Sequence, residues 1–286
     1  MILVTGAAGK TGRAVVAALR ARGATVAAFV HRDAHVGPLK ELGATRVHVG
    51  RLDDRAALRE AMAGVSAIYH LAPNVSPDEL SFGFSVAAAA SDAGVGRLVF
   101  HSVLLPRIEA MPHHWEKARV EEMLAASGLQ VTVLQPTAYM QNLLQAWPAI
   151  VKQGVYRVPY ALKARISLVD LEDVAAVAAK VLTETGHEQK TYELVGTKPL
   201  SQTEVAATLS RALGRKVQAK SEAVKTWEKR AAAAGMGNYQ RATLAKMFRY
   251  YDGHGLSGDP ATLRRLLGRA PTSLEDFVRG QPLSRA

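Results

Sequence analysis

Cysteine is absent from all 286 residues. Its absence excludes disulfides, thiolate metal sites and cysteine nucleophiles, and no metal is expected; it also fits a cytoplasmic setting. Long apolar runs are missing as well. No stretch of about 18 apolar residues occurs, so no membrane span is expected. A strand-like run starts at Met1, which leaves no room for a signal peptide. Neither low-complexity segments nor tandem repeats are visible. Acidic residues are in deficit: 25 Asp and Glu stand against 36 Lys and Arg, a formal charge of +11. Such a balance raises nucleic acid as a partner. The basic residues, however, are spread along the chain and mixed with acids, and the largest local excess, 211–220, carries no interleaved aromatics. The charge therefore argues against specific nucleic-acid binding and for a solvated surface that also suits polyanionic ligands.

What is present is a large apolar fraction, 48% of the residues. It suffices for a sizeable core in one large domain, or a large one with a small annex. Apolar strand patterns at 2–5, 25–30, 46–49, 66–71, 97–102 and 131–135 alternate with helical patterns at 13–22, 38–42, 54–62, 79–93 and 113–126. Strands so separated indicate a doubly wound parallel sheet with helices on both faces, an α/β fold of the Rossmann type. Further on, 139–153 reads as helix with a break at Pro148, 165–169 and 191–195 as strands, and 171–183 as helix. A capping box, Ser201 with Glu204, opens a helix over 201–213. Beyond Val217 the chain reads as mostly helical, and Trp227, Met236, Tyr239, Met247, Phe248, Tyr250 and Tyr251 gather there at spacings that favour a core over a ligand pocket. The expected division is a dinucleotide-binding domain over 1–150, with returns of the chain at about 165–195, and a smaller C-terminal lobe over 196–286.

The residues most open to a chemical reading come first. An apolar run ends in Thr5-Gly6-Ala7-Ala8-Gly9-Lys10-Thr11-Gly12, and a helical pattern follows at once. Three glycines at this spacing, between a strand and a helix, allow a tight turn and bring helix N–H groups against a phosphate. Doubly wound sheets bind ligands at the carboxyl ends of their strands. In NAD-binding units an acidic residue usually follows the second strand and holds the ribose hydroxyls; here His31 and Arg32 stand at that point. A guanidinium there suits a 2′-phosphate, which argues for NADP(H) over NAD(H), although a solvated arginine has the same sequence signature. Lys10 reads equally well as a second phosphate ligand or as a surface lysine. Arg51 and Leu52 follow the third strand, Leu71, Ala72 and Pro73 the fourth, and Ser102 the fifth; their joint placement at strand ends marks them as cofactor contacts.

The sequence resembles the NmrA-like group of atypical short-chain dehydrogenase/reductases. The loop Thr5–Gly12 matches its phosphate loop, and His31-Arg32 its NADP-selecting arginine. Residues 127–136 (SGLQVTVLQP), followed by Tyr139-Met140-Gln141-Asn142, match its sixth-strand block. Residues 181–194 look like the NADPH-dependent quinone reductase and triphenylmethane reductase branch. The resemblance implies an NADPH-dependent oxidoreductase with a substrate-binding C-terminal lobe and a small-molecule acceptor, a quinone or a similar conjugated compound. It implies Gly6, Ala8, Gly9, Lys10, Thr11, Gly12, Arg32 and Pro136 as cofactor contacts, and Thr137, Tyr139 and Asn142 as acceptor contacts, in a pocket above the sheet between 136–142 and the C-terminal helices. Tyr139 reads equally well as a packing residue at a helix start. One departure stands out: where short-chain dehydrogenases carry Tyr-x-x-x-Lys, this chain has His113-His114-Trp115-Glu116-Lys117. Lys117 can hold the nicotinamide ribose or pair with Glu121 one turn on; His113 can donate a proton or simply start a helix. The missing tyrosine keeps a second function open, an NADP(H)-binding redox sensor without turnover that acts through a protein partner. A second copy of the chain, as a homodimer, is the other partner the sequence leaves open.

Overall fold

The computed structural model describes residues 1–282. Along the first half, β1 (Ile2–Val4), α1 (Lys10–Ala21), β2 (Val26–Val30), α2 (Val36–Glu41), β3 (Arg46–Val49), α3 (Arg55–Met62), β4 (Ala67–His70), α4 (Glu79–Asp92), β5 (Arg97–His101), α5 (Pro112–Ala125) and β6 (Gln130–Pro136) alternate without interruption. There follow β7 (Ala138–Tyr139), a 3-10 segment (Met140–Ala146), α6 (Trp147–Gln153), β8 (Val155–Val158), β9 (Leu168–Val169), α7 (Leu171–Thr183), β10 (Lys190–Leu194), α8 (Gln202–Leu213) and β11 (Gln218–Ser221). The described residues end in α9 (Val224–Ala233), α10 (Asn238–His254), α11 (Ala261–Leu267) and α12 (Leu274–Arg279).

The main sheet has the order β10-β6-β5-β4-β1-β2-β3. Its strands are parallel, with Ile2 opposite Val26 on one side and Ala67 on the other. The chain winds outward from β1 through β2 to β3, then returns to β4 and winds the other way. The switch point therefore lies between β1 and β4, where such sheets take their ligands. This is the doubly wound Rossmann-type arrangement expected from the alternation of patterns. Local chemistry starts the helices where the sequence indicated: the Asp54 carboxylate accepts from the amides of Ala56 and Ala57, and the Ser201–Glu204 capping box is formed.

The chain forms two compact units. The first comprises Met1–Arg107, His114–Gln135 and Val174–Tyr192; the second comprises Ile108–His113, Pro136–Asp173 and the chain from Glu193 onward. The smaller unit thus takes in 136–150 and 165–173, which the pattern of strands and helices assigned to the large domain. The reason is packing: Met140, Leu143, Trp147 and Ile150 are buried in one cluster with Val205, Leu209, Phe277 and Val278. The expected helix over 139–153 is likewise three pieces: β7, the 3-10 segment and α6. Pro148 opens α6 rather than breaking a longer helix, because its missing N–H costs nothing in a first turn. The expected strand over 165–169 shortens to Leu168–Val169. Strand β8, unanticipated, pairs in parallel with β11. Among the late aromatics, Trp227 packs edge-on against Phe248 at 4.7 Å within a buried cluster, while Tyr239 is exposed. Among the described residues, no helix is long and apolar enough to cross a membrane.

Candidate functional site

At the switch point the glycine loop meets the end of β4. The amide of Thr5 donates to the Tyr69 carbonyl, the Thr5 hydroxyl to the Leu71 carbonyl at 3.1 Å, and the Leu71 amide returns a bond to Thr5 Oγ1 at 2.9 Å. Gly6 turns the chain with φ 59°, and a Cβ there would stand 2.6 Å from the Leu71 carbonyl oxygen. A Cβ on Gly12 would stand 2.3 Å from the Gly6 carbonyl oxygen, so α1 is seated against the loop at a distance only glycine permits. Gly9 is exposed and caps α1 with backbone alone; it has no side-chain acceptor, and the first turn holds no acidic residue. Thr11 and Gly12 are buried, Ala8 is half-buried and Lys10 is exposed. The cradle fits a pyrophosphate: small, positively polarised and lined by main chain.

Beyond β2, His31 and Arg32 are exposed. Arg32 stands in extended conformation ahead of a short 3-10 turn, and its guanidinium makes no hydrogen bond or ion pair among the described residues. Burial first, then the charge of Arg32 and the neighbouring His35, holds the His31 imidazole below its ordinary value. Arg51 is differently placed. Its guanidinium forms a two-pronged pair with Asp53, at 2.9 and 2.7 Å, so its charge is already matched. Leu52 faces inward and joins the core, which leaves its backbone as the part within reach of a ligand. After β4, Ala72 is buried and Pro73 exposed. Val75 holds φ 54°, a costly conformation for a β-branched residue, in a buried place.

The residues expected around the nicotinamide lie deeper than the sequence suggested. Lys117 is 4% exposed. Its ammonium donates to Glu79 at 2.6 Å and to the His101 carbonyl at 3.0 Å, and stands 5.0 Å from the centre of the Phe100 ring. Its partner is thus Glu79, not Glu121, because α4 brings a buried carboxylate to it. Glu121 instead accepts from Ser102 Oγ and from Gln135 Nε2. Ser102, expected among the cofactor contacts, is wholly buried and donates its hydroxyl inward. Burial raises the Glu121 carboxyl above its usual range, against the lowering effect of those hydrogen bonds. His70 and His101 are pushed down to about 3 by burial and then by the Lys117 charge, and His114 to about 4 by burial; all three rings are neutral at pH 7. Tyr69 hydrogen-bonds His101 Nδ1. Glu79, Tyr69 and His101 escaped the sequence reading, since nothing in their local pattern marks them as partners. The second carboxylate oxygen of Glu79 and Nε2 of His70 have no partner among the described residues. His113 is half-buried in the first turn of α5.

In the second unit, Pro136 and Thr137 are buried, Tyr139 is half-buried and Asn142 exposed. The Thr137 hydroxyl, expected to meet an acceptor, donates to the Ser167 carbonyl at 2.9 Å and fastens the chain there. Among the described residues, no group of three or more His, Asp or Glu side chains is arranged to hold a metal ion.

A parallel sheet reversing its winding at a glycine cradle, with an unmatched arginine beyond the second strand, defines a dinucleotide-binding protein of the Rossmann class. The chain belongs to the NmrA-like family, whose profile matches residues 1–278. It is 31% identical to an NAD(P)H azoreductase of Xenophilus azovorans, over 98% of this chain and 97% of that one. The structure of an NADPH-dependent quinone oxidoreductase of Escherichia coli, complexed with NADPH, superposes with a TM-score of 0.86 at 29% identity, covering 97% of this chain and 98% of the other. A triphenylmethane reductase of Citrobacter sp. complexed with NADP(H) gives 0.85 at 26% identity, with the same coverage.

Proposed function

We propose that this protein is an NADPH-dependent reductase that delivers a hydride to a quinone or a similarly conjugated small molecule. The reductase class rests on similarity along essentially the whole chain to NAD(P)H-dependent reductases. The choice of NADP(H) rests on one further observation, the unmatched Arg32 guanidinium at the place where a 2′-phosphate arrives. When bound, the reduced nicotinamide supplies the hydride. The chain's own residues bind and orient. Gly6, Gly9 and Gly12 bring main-chain N–H groups to the pyrophosphate, and Arg32, with Lys10 and His31, faces the 2′-phosphate. Arg51, Leu52, Leu71, Ala72 and Pro73 border the adenosine and the linking phosphates through backbone and small surfaces. Tyr139 and Asn142 are the acceptor-facing side chains of the second unit.

The proton is the part of the reaction for which this chain has no tyrosine. A hydride and a proton convert a quinone to a hydroquinone, and the aromatic product makes a strong acid unnecessary: His113 or water is sufficient at neutral pH. Lys117 and Ser102, already engaged inward, act as positioning residues rather than as proton donors.

The second reading, an NADP(H)-binding sensor without turnover, draws support from the same absence of Tyr-x-x-x-Lys and from the engagement of Lys117 by Glu79. One experiment separates them. Purified protein is supplied with NADPH and a panel of quinones and azo dyes, and absorbance of the reduced cofactor is followed. Catalysed consumption is expected with at least one acceptor. Tight NADPH binding without consumption for any of them would leave only the sensor.

A further inference from the structure

The segment carrying Tyr139 and Asn142 is fastened by a set of bonds that the reaction outlined above does not use. The Thr137 amide donates to the Leu194 carbonyl at 3.1 Å, and its hydroxyl to the Ser167 carbonyl. Strand β7 pairs in parallel with β9, with Ala138 opposite Leu168 and Tyr139 opposite Val169. Past Tyr139 the chain enters the 3-10 segment, a geometry with weak hydrogen bonds of its own. Here the Gln141 side chain adds a two-sided tie. Gln141 Nε2 donates to Asp170 Oδ1 at 2.6 Å, and Gln141 Oε1 accepts from the Leu171 amide at 3.1 Å. Asp170, 7% exposed, also accepts from the Glu172 amide. These three hydrogen bonds therefore satisfy the start of α7 and clamp the start of the 3-10 segment. Met140 and Leu143 are buried in the core, so the chain on either side of Gln141 is anchored and the bracket fixes the backbone between Tyr139 and Asn142.

We infer that Gln141 and Asp170 are positioning residues for the acceptor: their paired hydrogen bonds hold Tyr139 and Asn142 as a preformed wall and so set acceptor affinity, without touching acceptor or cofactor. This rests on the reductase reading above. The amide is required for it. It offers a donor to the carboxylate and an acceptor to the backbone at once, which neither a carboxylate nor an apolar side chain does. The bond to Asp170 is charge-assisted and only partly solvated, the setting in which one hydrogen bond is most effective at fixing geometry.

The test is a kinetic and binding comparison of the full chain with Gln141→Leu, which keeps the volume and removes both bonds. Menadione is the acceptor probe. Acceptor KM is expected to rise roughly tenfold, with kcat and the NADPH dissociation constant each within about twofold, because displacement of a positioning group is felt where the acceptor sits. Calorimetry of menadione with the NADP-loaded protein should show the same loss in affinity. Asp170→Asn keeps an acceptor oxygen and should restore most of the affinity that Asp170→Ala loses. The double variant Gln141→Leu/Asp170→Ala should be no worse than the poorer single one, since both delete one shared interaction. If Asp170→Ala does not fold, for want of its contacts at α7, Gln141→Leu decides alone. An unchanged KM and menadione affinity in Gln141→Leu, beside a lowered Tm, would overturn the inference and reduce the bracket to a folding element. Failure of the wild-type protein to bind or reduce menadione and every other acceptor would overturn the reductase reading itself, and the inference with it.

Discussion

The glycine loop of the first unit and the segment 137–142 of the second are held in place by opposite means. The loop is held by backbone: Gly6 and Gly12 approach carbonyl groups so closely that no side chain fits, and the ends of β1 and β4 are tied through Thr5. Its surroundings are stiffened by buried charge, Lys117 with Glu79, and by neutral histidines in the strand ends. The segment 137–142 is held by side chains, Thr137 and Gln141, reaching to Ser167 and Asp170. A backbone cradle is insensitive to which residues surround it and suits a ligand part shared across a family, the pyrophosphate. A bracket of side chains can be altered one residue at a time, and suits the part of a site that differs among acceptors.

The largest effect expected from this contrast is on stability. Lys117→Met strands the buried Glu79 carboxylate and should cost about 3–5 kcal/mol in denaturant unfolding. Adding Glu79→Gln should recover much of it. The corresponding deletion in the second unit, Arg269→Ala, removes an exposed guanidinium from Asp173 at 2.6 Å while the Thr272 amide stays bound to that carboxylate. It should cost only about 1–2 kcal/mol. Equal losses would erase the distinction between the units. Next comes cofactor choice: Arg32→Ala should weaken NADPH binding by about 1.5–3 kcal/mol and leave NADH nearly unchanged, as read by fluorescence titration. Equal losses for the two cofactors would remove the 2′-phosphate from the account. The smallest effect is that of one buried ring in mild acid. His70, His101 and His114 have folded values of about 3, 3 and 4, below the ordinary 6.5. The unfolded chain therefore takes up their protons first as pH falls. Their neutral burial costs nothing above pH 6.5 and costs stability below it, at up to about 1.4 kcal/mol per pH unit for each ring, until the folded values are reached. His114→Asn should flatten the decline between about pH 6 and pH 4.5; a decline unchanged in slope would mean that this ring is not buried in its neutral form.

Much of this arrangement is legible in the residues themselves. The spacing of Gly6, Gly9 and Gly12 between a strand and a helix indicated the cradle, and the absence of a carboxylate at 31–32 pointed to NADP(H). These are local signals, because a turn, a cap and a strand end are built within a few residues. The capping box at Ser201 was readable for the same reason. Less legible were pairings across long stretches of chain. Glu121 stood at the helical spacing from Lys117, yet Glu79, 38 positions away, is the partner. Thr137 reads as an acceptor contact from its place in a block of sequence, and nothing local shows that its hydroxyl donates to the Ser167 carbonyl. Gln141 stood in that block without a role of its own, since its meaning depends on Asp170.

The sequence by itself determined the class of the sheet and the glycine turn after β1, and pointed to NADP(H), through periodicity, glycine spacing and an arginine in place of a carboxylate. The tertiary structure alone decided which polar groups face inward. Strand order carries Glu79 to Lys117 and Asp170 to Gln141, and packing of Met140, Trp147 and Phe277 draws 136–173 into the smaller unit. The physical reason is the range of the interactions. Backbone conformation answers to neighbours three or four residues off, whereas a buried donor is satisfied by whichever acceptor the folded chain brings within about 3 Å.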